Sequence, residues 1–233
     1  MMKSGILGAR KARGLAVVID VFRGSSTVVA LFARGASHIT PVVSLGEARS
    51  LKRKNARYFL VGEKRGRTPE GFDCGNSPFE VSRLNLTGKE VVFRSSAAGR
   101  GIVEACKRAD IFGLLVGGFV NANSVVSYIR EENLKEVTIV AMGSLGFGKW
   151  EQAAEDEYCA RYIRQRLLGK EVDFLQMKSE ILKKDGAVRL TRFGQTDDLD
   201  ICLSLDMFNG IVPGIKANKS MSVRISCLSK SQD

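Results

Sequence analysis

Strand-like and helix-like segments alternate along this chain from residue 15 to about residue 168. Short apolar runs such as 15–21 are typical of buried strands, and the segments between them have the periodicity of amphipathic helices. The alternation predicts an α/β fold, in three α/β/α layers around a largely parallel or mixed sheet, as one body or as two closely packed lobes. Beyond Gly169 the pattern weakens.

The predicted elements follow one another in a regular order. Strands are expected at 15–21, 37–43, 57–62, 90–93, 111–116 and 136–142, and helices at 25–34, 45–54, 98–107, 121–131 and 153–168. Towards the end, 179–184 and 198–205 are predicted as helices and 222–226 as an edge strand. Ser25 or Ser26 is expected to cap the first helix. No repeat or linker divides the chain, so 1–233 is predicted to form a single domain.

The cysteines and the single histidine limit the available chemistry. The five cysteines are odd in number, widely spaced and contain no C-x-x-C pair, which argues against a disulfide framework and a thiolate zinc site. His38 is the only histidine and is expected to be structural. A bound metal would therefore be held by oxygen, which favours magnesium, calcium or manganese.

The charge of the chain is strongly positive, with 36 Lys and Arg against 25 Asp and Glu. A net +11 attracts phosphate in general, but the positive residues are spread along the chain and only four tyrosines and one tryptophan are available to stack on bases. A solvated basic surface is therefore the first interpretation of this charge and a site for a small polyanion the second, whereas a nucleic-acid partner is not expected. Residues 1–13 lack the apolar region of a secretory signal and no later run reaches membrane-spanning length, so a cytoplasmic protein without a membrane partner is predicted.

Three familiar phosphate-handling motifs are absent. No cysteine has an arginine six positions after it, and Asp20 lacks the second aspartate two residues later that aspartyl phosphatases need. The segment 143–150 matches P-loop spacing until Trp150 replaces the Ser or Thr that would bind magnesium. A glycine-rich strand-to-helix turn is predicted there instead.

The segment 17–27 has the layout of a phosphate site. A hydrophobic strand ends at Asp20, and Arg23, Ser25 and Ser26 stand at the start of the next helix. Ligands of open α/β sheets bind beyond the carboxyl ends of strands, and helix N-termini bind anions. The alternative is that Asp20 and the hydroxyls only cap the helix.

A second segment is more distinctive. Gly62-Glu63 leads to Gly-Phe-Asp-Cys-Gly-Asn-Ser-Pro at 71–78. Together with 17–27, this segment resembles the 2-phosphosulfolactate phosphatases, which carry V-I-D-V-x-R and G-F-x-x-G-N-S-P. The likeness continues in order through 94–96, 117–121, 155–156, Asp200 and 212–213, so it covers about 15–215.

The resemblance implies Mg²⁺-dependent hydrolysis of a small polyanionic phosphate monoester. The family substrate is 2-phosphosulfolactate, which gives sulfolactate and phosphate on the way to coenzyme M. Magnesium and arginines would neutralise the charge of such an ester. The resemblance assigns catalysis to Asp20, Glu63 and Asp156, metal binding to Asp20, Glu155 and Asp156, and substrate binding to Arg23, Ser25, Ser26, Arg65, Arg67, Asn76, Ser77, Arg94, Ser95, Ser96 and Asn121. A homodimer is expected because dimers are common among enzymes.

Several alternatives stay open. Glu155 and Asp156 are also favourable charges for a helix N-terminus, Asn76 and Ser77 also form turns, and Asn121 is also an N-cap candidate. The competing function is a basic nucleotide- or nucleic-acid-binding protein without catalysis, or a phosphatase of the same family with another substrate.

The chain also departs from the family at two places. Residues 95–100 read Ser-Ser-Ala-Ala-Gly-Arg where many members have hydroxyls followed by Asn-Gly-Thr. Residues 22–26 read Phe-Arg-Gly-Ser-Ser where Leu-Arg-Ala-Thr-Thr is usual. Both departures leave the organic part of the substrate open.

Overall fold

The computed structural model describes residues 1–107, 110–146, 149–216 and 223–228. The strands in these ranges are β1 Met2–Ser4, β2 Gly14–Ile19, β3 His38–Val42, β4 Phe59–Gly62, β5 Glu90–Arg94, β6 Ile111–Gly117, β7 Val137–Ala141, β8 Ser144–Gly146, β9 Lys149–Glu151, β10 Pro213–Lys216 and β11 Ser226–Cys227. The helices are α1 Gly5–Arg10, α2 Gly24–Ala33, α3 Leu45–Lys54, α4 Pro78–Ser82, α5 Ala98–Cys106, α6 Ala122–Glu131, α7 Ala154–Leu167, α8 Phe174–Ile181, α9 Asp185–Arg192 and α10 Thr196–Cys202, with one 3₁₀ turn at Phe119–Asn121.

The larger sheet has six strands in the order β1-β7-β2-β6-β10-β11. Strands β1, β7, β2 and β6 pair in parallel, whereas β10 and β11 run antiparallel at one edge. Every residue of the central strand β2 is buried, because helices cover both faces of the sheet. This arrangement confirms the predicted α/β class with a mostly parallel sheet.

A smaller parallel sheet, in the order β3-β5-β4, packs beside the larger one. Helix α5 contacts strands of both sheets. One apolar cluster therefore joins Val18 and Val116 of the larger sheet to Val91 and Phe93 of the smaller sheet through Ile102 of α5. Helices α6 and α7 cover the opposite face of the larger sheet, and α3 covers the far face of the smaller one.

Four strands of the two sheets lead into the same region at their carboxyl ends. Asp20 follows β2, Glu63 follows β4, Ser95 follows β5 and Gly143 lies just beyond β7. All four line one cavity. The topology thus gathers residues that are far apart in the sequence.

Some local predictions are wrong. The segment after β7 is an antiparallel hairpin of β8 and β9 rather than a strand-to-helix turn, and residues 147–148 of the P-loop-like motif lie outside the described residues. Helix α2 has Arg23 at its N-cap, so neither Ser25 nor Ser26 caps it. Of the helix predicted at 179–184, only 179–181 is helical, as the end of α8, which begins at Phe174, and 182–184 form the turn before α9. Of the predicted strand 222–226, residue 222 is not described, and only Ser226 is in a strand.

The described residues contain no helix that is both long enough and apolar enough to cross a membrane.

Candidate active site

The cavity between the two sheets has a volume of about 820 Å³. Part of the predicted site lines it: Asp20, Arg23, Glu63, Arg65, Asn76, Ser95 and Ser96, together with Arg67. Other predicted residues, namely Ser25, Ser26, Ser77, Arg94, Asn121, Glu155 and Asp156, lie outside the lining. The structure therefore brings the two sequence motifs together and separates lining residues from supporting ones.

Asp20 is fixed at the carboxyl end of β2. Its Oδ2 accepts a hydrogen bond from the Ala98 amide at 2.9 Å and one from Ser95 Oγ at 3.4 Å. Burial, reinforced by the negative charge of Glu63, raises the pKa of Asp20 to about 6. A Cβ at Gly24 would lie 2.3 Å from the same oxygen, so a glycine at this position leaves room for the carboxylate.

Asp156 lies beneath Asp20 in the first turn of α7. Its two carboxylate oxygens accept hydrogen bonds from the Val21 amide at 2.7 Å and the Gly143 amide at 2.8 Å. Asp156 thereby ties α7 to the ends of β2 and β7. Burial raises the pKa of Asp156 well above its usual range, and the charges of Asp20 and Glu155 raise it further.

Glu155 is buried beside this pair and is covered by the first turn of α9. A Cβ at Gly186 would lie 2.6 Å from Glu155 Oε1, so glycine permits the close packing of α9 on the carboxylate. Burial raises the pKa of Glu155 to about 7, the charge of Asp20 adds to the increase, and the cation of Arg189 opposes it.

The donor chemistry of these carboxylates fits a magnesium ion. Asp20 faces the cavity, and its charge repels those of Glu155 and Asp156, an unfavourable arrangement that a bound cation would relieve. Among the described residues, no three His, Cys, Asp or Glu side chains form a compact ligand set. Magnesium does not need one, since it is commonly held by one or two carboxylates and completed by water and substrate phosphate.

Glu63 is an anchor between two loops. Its Oε2 accepts a hydrogen bond from the Gly66 amide at 2.9 Å, and its Oε1 accepts from the Ser96 amide at 2.8 Å and from Ser96 Oγ at 2.7 Å. Arg94 Nη1 lies 3.2 Å from Oε1 and also donates to the Glu63 carbonyl. These contacts hold the Arg94 guanidinium against Glu63, and Arg94 itself does not line the cavity.

Arg23 is held by a buried partner that the sequence did not indicate. Arg23 Nη1 lies 2.6 Å from Oδ2 of Asp198, a residue of α10 that is 4% exposed. Oδ1 of Asp198 accepts hydrogen bonds from Ser77 Oγ at 2.6 Å and from the Phe79 amide at 3.1 Å. The resemblance had pointed to Asp200 in this helix, but Asp200 is exposed and it is Asp198 that reaches the site.

Three predicted binding residues bond instead to the backbone. Ser25 Oγ donates to the Asp20 carbonyl at 2.8 Å, and Ser26 Oγ donates to the Val21 carbonyl at 2.9 Å. The Asn121 amide donates to the carbonyls of residues 211 and 116, and its oxygen accepts from the amide of residue 118. These side chains therefore stabilise the loops around the cavity without lining it.

Asn76 differs from these three residues. It is 6% exposed and lines the cavity, and its Oδ1 has no hydrogen-bond partner among the described residues. Buried polar atoms in folded proteins are nearly always satisfied. The orphaned amide oxygen therefore indicates a missing donor at this side of the cavity.

A basic turn forms one rim of the cavity. Lys64 and Arg67 exchange backbone hydrogen bonds of 2.8 and 3.2 Å around Arg65 and Gly66. Arg65 has a φ of +54°, a left-handed conformation that costs a non-glycine residue about 1 kcal/mol or more. Arg65, like Arg189 of α9 on the cavity wall, forms no ion pair with any residue that the structure describes.

The remaining wall comes from residues that sequence reasoning missed. Phe22, Ala97, Arg189, Leu190, Phe193 and Gln195 all line the cavity. Four of them belong to α9 or follow it, where the sequence pattern is weakest, and no local motif marks them. Only the departure from the family at residues 22 and 97 gave a signal.

A profile of the 2-phosphosulpholactate phosphatase family matches residues 3–218. The chain belongs to this family. It is 31% identical over 195 residues to a protein of Thermoplasma volcanium, with 83% of this chain and 85% of that protein covered. It is 32% identical to a protein of Pseudothermotoga lettingae, covering 84% and 87% of the two chains, and 33% identical to one of Thermoplasma acidophilum, covering 84% of each. All three carry the name "probable 2-phosphosulfolactate phosphatase", so this member of the family is a phosphatase.

Proposed function

We propose that this phosphatase uses Mg²⁺ to hydrolyse 2-phosphosulfolactate to sulfolactate and inorganic phosphate, a step towards coenzyme M. The relatives carry the name of this reaction. The observation that carries the proposal is the placement of a buried carboxylate, Asp20, and a buried guanidinium, Arg23, on one cavity. A bound cation and a fixed arginine both neutralise the negative charge of a phosphate monoester, which otherwise opposes the attack of water.

Arg23 supplies the fixed arginine. Its contact with Asp198 and a weaker one from Nη2 to the Gly66 carbonyl, 3.4 Å, set the direction of the guanidinium. A guanidinium has five N–H groups, so donors remain for phosphate oxygens after these contacts. A preoriented guanidinium loses little conformational entropy when the substrate binds, so its hydrogen bonds to the phosphoryl group can replace those to solvent at little cost.

Asp20 is the metal ligand in this proposal, and Glu155 and Asp156 supply further negative charge beneath it. Bound Mg²⁺ would neutralise charge on the phosphoryl oxygens and polarise the phosphorus–oxygen bond. The oxygen of water forms a bond to phosphorus, the ester oxygen departs with a proton, and sulfolactate and phosphate result. Asp20 holds its position through the Ala98 amide throughout.

The basic rim serves the other anionic groups of the substrate. Lys64, Arg65, Arg67 and Arg189 line the cavity and are exposed. Unpaired cations around a cleft raise the local concentration of anions. They suit a substrate that carries a carboxylate and a sulfonate as well as its phosphate.

Phosphate release from 2-phosphosulfolactate, measured with Mg²⁺ and with EDTA, tests the proposal. We expect turnover that requires the metal and an Asp20→Asn variant that stays folded but loses about 100-fold in kcat. Asp200→Asn is the matched control, because Asp200 is an exposed aspartate of α10. Equal turnover in EDTA would exclude the metal role. Salt-sensitive binding of nucleic acid without any turnover would favour the non-catalytic alternative.

A further inference from the structure

The cavity has an apolar side that a small polyanion does not use. Phe22, Ala97, Leu190 and Phe193 are the apolar side chains that form it. Phe193 is 68% exposed, whereas Leu190 is only 5% exposed. Apolar and aromatic side chains that line a cavity are the usual contact surface for the organic part of a ligand.

The size of the cavity leads to the same conclusion. Its volume of about 820 Å³ lies within the ~300–1,000 Å³ of sites that enclose drug-sized ligands. A three-carbon phosphate ester held at Asp20 and Arg23 would fill only part of this volume. The site therefore has room for a larger organic group on the phosphate.

The chemistry of the wall indicates a planar group. Phenylalanine rings stack on flat π-systems, and arginine guanidinium groups also lie flat against them. Phe193 and Arg189 both line the wall, and Arg189 forms no ion pair with a described residue. Gln195 adds an amide that can donate to or accept from the edge of such a group.

Phe22 and Ala97 also line the cavity. Phe22 adds a second aromatic ring, and the side chain of Ala97 is a single methyl group. Neither side chain can form a hydrogen bond, so this part of the lining is better suited to an apolar ring than to polar substituents.

We propose that the same site hydrolyses a second class of substrate, phosphate monoesters of planar aromatic alcohols, with the ring packed against Phe193. This inference rests on the proposed function, because it uses the same phosphate and metal positions. The oxygen of water bonds to phosphorus, the aryl-oxygen–phosphorus bond breaks, and the phenolic oxygen takes a proton, which yields a phenol and inorganic phosphate.

The test compares 4-nitrophenyl phosphate with 2-phosphosulfolactate on the full chain with Mg²⁺. We expect metal-dependent release of 4-nitrophenol, and a Phe193→Ala variant whose kcat/KM for the aryl ester falls about 3- to 10-fold, in line with one lost aromatic contact. The same variant should change kcat/KM for 2-phosphosulfolactate less than about twofold. Phe193→Trp, which retains a stacking ring, should keep the aryl activity.

Phe112→Ala is the matched control, because Phe112 is another exposed phenylalanine, 48% exposed, that does not line the cavity. It should leave both activities unchanged. If 2-phosphosulfolactate is hydrolysed but the aryl ester is not, or if Phe193→Ala lowers both activities equally, the inference is overturned and the proposed function stands. If neither ester is hydrolysed, the proposed function fails and the inference fails with it.

Discussion

Gly24 and Ala98 pack closely around the carboxylate of Asp20. Substituting alanine for Gly24, alone and together with glycine for Ala98, tests this geometry. A Cβ at position 24 would lie 2.3 Å from Asp20 Oδ2, 2.7 Å from the Ala98 Cβ and 3.0 Å from Ser95 Oγ. Gly24→Ala must therefore displace either Asp20 or the start of α5.

The cost of Gly24→Ala has two sources. Overpacking a buried site costs about 1–3 kcal/mol. Weakening the hydrogen bond from the Ala98 amide to the Asp20 carboxylate, now 2.9 Å, adds about 1–2 kcal/mol, because one partner is charged. Alanine is the better helix former by about 1 kcal/mol and opposes these effects. The expected result is a net loss of about 2–3 kcal/mol in the free energy of unfolding.

Activity should fall more steeply than stability. A displacement of about 1 Å at a catalytic group costs on the order of 100-fold in rate. The assays are urea unfolding and metal-dependent phosphate release. The double variant Gly24→Ala/Ala98→Gly removes the contact with the Ala98 Cβ and gives α5 room to move, so it should recover part of both losses.

The matched control is Gly46→Ala in α3. Gly46 is exposed and is the second residue of its helix, and a Cβ there would meet only Ser44 Oγ at 3.9 Å. It should therefore be neutral or stabilising. The reasoning is refuted if Gly24→Ala is as stable and active as the parent, or if the double variant is no better than the single one.

Two further predictions concern the buried charges. Asp198→Asn keeps the shape of the side chain but leaves the Arg23 guanidinium without its counter-charge, so the protein should lose about 3 kcal/mol in its free energy of unfolding. It should also bind inorganic phosphate more weakly, which is measured as the inhibition constant of phosphate. An inhibition constant equal to that of the Asp200→Asn control would contradict a positioning role for Asp198. The pKa of Asp20 is raised from 3.8 to about 6, so the native state binds this proton more tightly than the unfolded state does. The resulting stabilisation is present below about pH 4 and is lost as pH rises through 6. In EDTA, Asp20→Asn should therefore gain stability relative to the parent between pH 4 and 8, by about 3 kcal/mol at most, and a difference that stays flat across this range would refute it.

The parts of the fold that the sequence predicts well are those with local signals. Helix α3 has the predicted bounds, because Ser44 caps its start by accepting from the Glu47 amide and three basic residues close its last turn. Strand β2 is recognisable because all its residues are apolar or glycine and buried. By contrast, α4 has only five residues, and the short β1 is held by pairing with β7, far away in the sequence. Such elements depend on tertiary contacts that no local pattern records.

The residues of the candidate site also differ in whether a local sequence signal marks them. Asp20 and Glu63 each follow the end of a parallel strand, where ligands of α/β sheets bind, so the sequence marks both as site candidates. Their strands belong to different sheets, so their meeting depends on how the two sheets pack. Asp198 and Phe193 arrive through helices in the last quarter of the chain, and the Arg23–Asp198 contact spans 175 residues. Neither the identity nor the spacing of these residues in the sequence indicates that they belong to the site.

The structure also shows that the positively charged side chains around the cavity have different environments. The formal charge of +11 and the family motif present the arginines as one set of anion-binding groups. In the structure, Arg23 is buried and paired with Asp198, and Arg94 is partly buried and paired with Glu63, so both add little long-range field and act through their geometry. The exposed cations on the rim, such as Arg65, supply the field, and salt screens that field over about 8–10 Å. In the proposed function, attraction of the substrate and orientation of its phosphate are separate tasks of different arginines, so a basic composition alone does not identify the binding residues.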